Sequence, residues 1–112
     1  MKIYHNPRCS KSRQTLALIQ EHGIRPNIVL YLKDPLTIPE LKTLLSQLKI
    51  NPIQLIRKDE KDWKENFKGK ELTNDEIIEA MISNPKLIER PIVVKDNQAV
   101  LGRPPENVLD LI

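Results

Sequence analysis

Lys2-Ile3-Tyr4-His5-Asn6-Pro7-Arg8-Cys9-Ser10-Lys11-Ser12-Arg13 is the stretch whose reading decides the fold. Ile3 and Tyr4 carry a short strand signal, and a polar loop leads from them to Cys9, the one cysteine of the chain. A helical pattern begins at once. It runs over residues 10–22, with Leu16 and Ile19 on one face, Leu18 beside them and Gly23 as its stop. Ile28-Val29-Leu30-Tyr31-Leu32 follows as a continuous apolar run, which predicts a buried parallel strand. Strand, helix and strand make a βαβ unit, whose crossover is expected to be right-handed.

Further along, Thr37 with Glu40 and Thr73 with Glu76 have capping-box spacing. Leu41, Leu44, Leu45 and Leu48 mark one amphipathic helix; Ile77, Ile78, Met81 and Ile82 mark another. Asn51-Pro52 starts a short helix that carries Leu55 and Ile56 inward and ends near Arg57. Trp63 and Phe67, four apart, pin a helical turn in the most polar segment. Residues 91–94 and 99–101 are strand signals joined by a two-residue turn at Asp96-Asn97. A last helix begins at residues 103–106, with Val108, Leu109 and Ile112 available for packing. The order βαβ, helical insert, ββα predicts an α/β domain over residues 1–112, with a mixed four-stranded sheet flanked by helices.

Composition narrows the function classes. The chain has 112 residues, 39% hydrophobic and 29% charged, which suits one packed domain and not a disordered segment. The net charge of +3 is mild, and basic residues alternate with acidic ones, so a solvated surface is expected and a nucleic-acid face is not. Aromatics at 4% exclude a base-stacking platform. His5-Asn6-Pro7 interrupts any leader-like apolar run, and no stretch approaches the roughly 18 apolar residues of a membrane span. A single cysteine cannot form an internal disulfide, so a cytoplasmic location is expected.

A lone cysteine is by default a small buried hydrophobe. The polar neighbours of Cys9 argue for a reactive thiol instead. An ordinary thiol is only about 3% thiolate at pH 7. A helix start, with Arg8, Lys11 and a protonated His5 beside it, favours the thiolate. A Cys-x-x-Cys pair is absent, because Ser12 holds the second position. A phosphatase-type loop needs arginine six places after the cysteine, where Thr15 stands. One cysteine and two histidines make no zinc site, and no metal is expected. What remains is a nucleophile whose disulfide partner comes from another molecule.

Arg57, Arg90 and Arg103 each sit at the edge of an element, where solvated arginines are ordinary. The hairpin changes this for two of them. With Asp96 and Asn97 in the turn, Lys95 faces Gln98, and counting outward sets Arg90 opposite Arg103. Like charges directly opposite destabilise a sheet unless an anion lies between them, and guanidinium forks suit phosphate-like oxyanions. Pro91 at the start of a strand is a candidate cis bond.

These residues carry a resemblance. Tyr4-His5-Asn6-Pro7 through Cys9 and Ser12-Arg13, Leu30-Tyr31-Leu32, Leu55-Ile56-Arg57-Lys58, Arg90-Pro91-Ile92-Val93-Val94 and Arg103-Pro104 before Val108-Leu109-Asp110 are similar to the glutaredoxin-coupled arsenate reductases. The chain looks closest to a short bacterial branch of that ArsC type. The resemblance implies a thioredoxin-like fold with Pro91 as its cis-proline, and an oxidoreductase of arsenic detoxification. It implies Cys9 as the nucleophile on arsenate and His5 as the histidine that assists it. Arg57, Arg90 and Arg103 match the anion-binding arginines, with Asn6, Arg8 and Ser12 in the supporting loop. Glutathione would be the co-substrate and glutaredoxin the protein that resolves the mixed disulfide, with no bound cofactor. Two other readings stand beside it: a general glutathione-linked thiol oxidoreductase, and an Spx-like regulator that binds RNA polymerase. The Ser12 that replaces a switch cysteine counts against the regulator.

Overall fold

The strand, loop and helix expected at the start of the chain are present: β1 is Lys2–Tyr4 and α1 is Ser10–Glu21. They are seen in a computed structural model that describes residues 1–112. The contacts group into two compact units, Met1–Asp34 with Arg90–Ile112, and Pro35–Glu89.

The first unit holds the sheet. β2 is Asn27–Val29, β3 is Ile92–Lys95 and β4 is Gln98–Leu101, in the order β2-β1-β3-β4. β1 pairs with β2 in parallel and with β3 antiparallel, and β3 with β4 antiparallel, so the sheet is mixed as expected for a thioredoxin-like fold. Ile28, Ile3, Val93 and Val100 fall in one row across all four strands. Alternation puts a row on one face. From that row Ile3 and Val93 join Ile19 of α1 and Val108 and Leu111 of the last helix in a buried core. Each such side chain stabilises the unit by roughly 1.5–3 kcal/mol. α1 stops where expected: Gly23 has φ +76, its N–H donates to the Gln20 carbonyl, and the Ile24 N–H donates to Ile19. A side chain at that φ would be strained.

Two expectations for this unit fail. The apolar run at residues 28–32 is parallel but shorter as a strand than the run itself, and only Tyr31 of it is buried. β2 ends at Val29 and lies on the sheet edge, and Ile28 is 44% exposed and Leu32 40% exposed. An edge strand has a neighbour on one side only, so apolar content alone does not bury it. The last helix, Pro105–Leu111, is 3₁₀. Three residues per turn place Pro105, Val108 and Leu111 on the buried side and leave Leu109 and Ile112 exposed.

The second unit is helical: α2 (Ile38–Leu48), a 3₁₀ turn (Pro52–Leu55), α3 (Lys61–Asn66), α4 (Asn74–Ser83) and a 3₁₀ turn (Pro85–Leu87). Both expected capping boxes form, Thr37 with Glu40 and Thr73 with Glu76. Leu41, Leu44 and Leu45 of α2 and Ile77, Ile78 and Met81 of α4 are buried, and the two helices pack together. Trp63 and Phe67 stack with ring centroids 5.5 Å apart. Ile56 and Ile88 pair in an isolated antiparallel bridge.

Candidate active site

Cys9 is the N-cap of α1. Its backbone is extended (φ −93, ψ 123), and its side chain makes no capping hydrogen bond. The loop before it is tied by short bonds. The Cys9 N–H donates to the Asn6 carbonyl at 3.0 Å, the Arg8 N–H to Asn6 Oδ1 at 3.0 Å, and Arg13 Nη1 to the Pro7 carbonyl at 2.9 Å. The Arg13 N–H then donates to the Cys9 carbonyl as the first bond of the helix. Asn6 thus sets the turn that delivers Cys9 to the helix end, where free amide N–H groups and the dipole favour an anion. The thiol is buried, with 8% of the residue exposed.

His5 and Ser12 lie beneath this loop. His5 Nδ1 is 2.6 Å from Ser12 Oγ, and the Asn6 N–H donates to the same oxygen at 3.0 Å. Burial, and then the positive charge of Arg13, hold the His5 pKa below the ordinary value of 6.5. His5 is therefore neutral at pH 7, and the protonated His5 expected beside Cys9 is not what this site contains. A cleft of about 390 Å³ adjoins the loop at the carboxyl ends of the parallel strands, walled by residues 5–8, Leu30, Leu32 and Lys33.

The hairpin register is as counted. Lys95 faces Gln98, Val94 faces Ala99 and Ile92 faces Leu101, and the Gly102 N–H donates to the Pro91 carbonyl at 2.9 Å. Arg90 and Arg103 are the next pair outward. Arg103 Nη1 lies 3.5 Å from the Arg90 carbonyl and 4.0 Å from Cys9 Sγ. Arg90 Nε is buried with no hydrogen-bond partner. A buried donor left unpaired costs about 1–3 kcal/mol, and an oxyanion is the natural acceptor for it. The Arg90–Pro91 bond is cis, as expected for Pro91; the Arg103–Pro104 bond is also cis, which the sequence did not suggest. Arg57 belongs to the second unit. Its Nη1 donates to Glu60 Oε2 at 3.2 Å and to the Lys86 carbonyl at 3.1 Å, so its charge already has a carboxylate.

The sequence reading assigned no role to Thr15 or Gly102. Thr15 is fully buried, and its Oγ1 donates toward the Lys11 and Gly102 carbonyls. A Cβ on Gly102 would lie 2.5 Å from Thr15 Oγ1 and 2.8 Å from Pro91 Cγ. Only a bare backbone lets the segment between β4 and Arg103 meet the helix of Cys9 here. A glycine at a strand end was the available signal. No group of three or more His, Cys, Asp or Glu side chains is arranged to hold a metal.

Known proteins are similar to this chain over most of its length. The ArsC family model matches residues 4–111. The uncharacterized protein YfgD of Escherichia coli is 49% identical over 114 residues, covering 100% of this chain and 96% of its own. An arsenate reductase of Haemophilus influenzae is 44% identical over 112 residues, covering 98% and 97%. The solved arsenate reductase from Vibrio cholerae superposes with a TM-score of 0.94 at 48% identity, covering 99% and 96%.

Proposed function

Because this chain belongs to the ArsC family, we propose that it reduces arsenate to arsenite through Cys9, drawing electrons from glutathione and using glutaredoxin to reset the enzyme. The observation that supports this most is the pairing at Cys9. Arg103 Nη1 stands 4.0 Å from the sulfur, and Arg90, opposite Arg103, has a buried Nε that wants an acceptor. That suits a nucleophile facing a tetrahedral oxyanion.

The chemistry balances with one protein thiol. Cys9 Sγ attacks arsenic, an As–S bond forms, and one arsenate oxygen leaves as water. The glutathione sulfur then attacks Cys9 Sγ. The S–S bond forms as the As–S bond breaks, the electron pair stays on arsenic, and As(V) becomes As(III). The glutathione proton ends on an arsenite oxygen. A glutaredoxin thiol finally attacks the glutathione sulfur of the Cys9 mixed disulfide and frees Cys9. Since the chain has one cysteine, both reducing thiols come from outside. In this reading Arg90 and Arg103 hold the oxyanion and its developing charge. Arg8 adds positive charge. Pro91 and Asn6 hold the loops, and the reaction takes place in the cytoplasm.

The test is arsenite formation with glutathione and glutaredoxin present, for wild type and Cys9→Ser. Wild type is expected to turn over, to consume two thiols per arsenite, and to stop when glutathione is omitted; Cys9→Ser is expected at background. Wild type no faster than Cys9→Ser would overturn the proposal.

A further inference from the structure

Ser12 is a polar residue with none of its surface exposed, and its hydroxyl settles a question about its neighbour. Two groups face Ser12 Oγ: the Asn6 N–H at 3.0 Å and His5 Nδ1 at 2.6 Å. The Asn6 amide can only donate. The hydroxyl has one proton of its own, and His5 Nδ1 is the one acceptor in reach of it. Were Nδ1 protonated, Ser12 Oγ would accept from both neighbours and its own proton would be left buried without an acceptor, at a cost the fold has no reason to bear. The hydroxyl therefore donates to Nδ1. We infer that Ser12 is a positioning residue that fixes His5 as a neutral imidazole carrying its proton on Nε2.

The lowered pKa of His5 agrees with this, since a neutral ring is what the hydrogen count needs. The chain holds its own control. His22 Nδ1 lies 2.9 Å from the Leu18 carbonyl, which can only accept, so His22 carries its proton on Nδ1. The two histidines of the chain are thus set to opposite tautomers. At Nε2, His5 offers a hydrogen bond and cannot take up a proton while it remains neutral. The tautomer stands whatever reaction the protein catalyses.

Long-range proton–nitrogen NMR of the protein labelled with ¹⁵N-histidine, above about pH 7.5, reads the tautomers directly. His5 is expected to show a protonated Nε2 and a bare Nδ1, and His22 the reverse. Ser12→Ala is expected to mix the His5 tautomers, and Ser12→Thr to keep Nε2–H. A protonated Nδ1 on His5 in the wild type would overturn the inference, whether or not Ser12→Ala folds.

Discussion

His5 is kept neutral by burial and by Arg13, and that has a thermodynamic consequence. Its folded pKa lies below the unfolded value of about 6.5, so between the two the unfolded chain binds the proton more readily. The stability owed to neutral His5 is complete above about pH 6.5 and is lost as the pH falls through the folded pKa. Urea midpoints of wild type and His5→Gln, measured from about pH 5 to pH 8, should show wild type declining more steeply on the acid side. A gap that opened on the alkaline side would contradict this. At this scale the sequence revealed what local chemistry determines. The place of Cys9 at a helix start was legible because a helical pattern begins directly after it. The neutral state of His5 was not, since it depends on how much solvent the folded chain removes. The burial of Thr15 was not either, because its second partner, the Gly102 carbonyl, lies 87 residues away.

Among the elements, the capped helices were the most readable, because Thr37 with Glu40 and Thr73 with Glu76 satisfy helix ends with side chains written three positions apart. The final helix was read in the wrong period. Its 3₁₀ geometry can be tested by two leucines. Leu111→Ala should destabilise the protein by about 2–5 kcal/mol, whereas Leu109→Ala should change stability by less than about 0.5 kcal/mol. Thermal or urea unfolding of the pair decides it; similar losses at both positions would mean that the helix does not present every third residue. β2 was misjudged for a different reason. Five apolar residues in a row predict a strand, but not where in the sheet it falls, and at the edge Ile28 stays open.

On the scale of the whole chain, two short-range facts, a βαβ unit and a hairpin, set the two outer pairings of the sheet. The pairing of β1 with β3, which brings the two ends of the sequence together, was written in neither. Gly102 is where that closure is tightest. Gly102→Ala should cost about 1–3 kcal/mol by overpacking. Because the new methyl meets Thr15 most closely, the loss should shrink in a Thr15→Ala background. Additive losses in that double-mutant cycle would rule out the contact as the cause. The turn at Asp96 and Asn97 then acquires a meaning its exposure hides. Polar, surface-lying turns are where chains usually tolerate added residues. Here the turn works as a ruler: its two residues set which position arrives opposite Arg90, six places before the turn. One residue more would slip the register, reverse the faces of β4 and deliver Gly102 to the place of Arg103. Turn length in this chain is thus under the same constraint as the reactive residues, although the turn itself touches none of them.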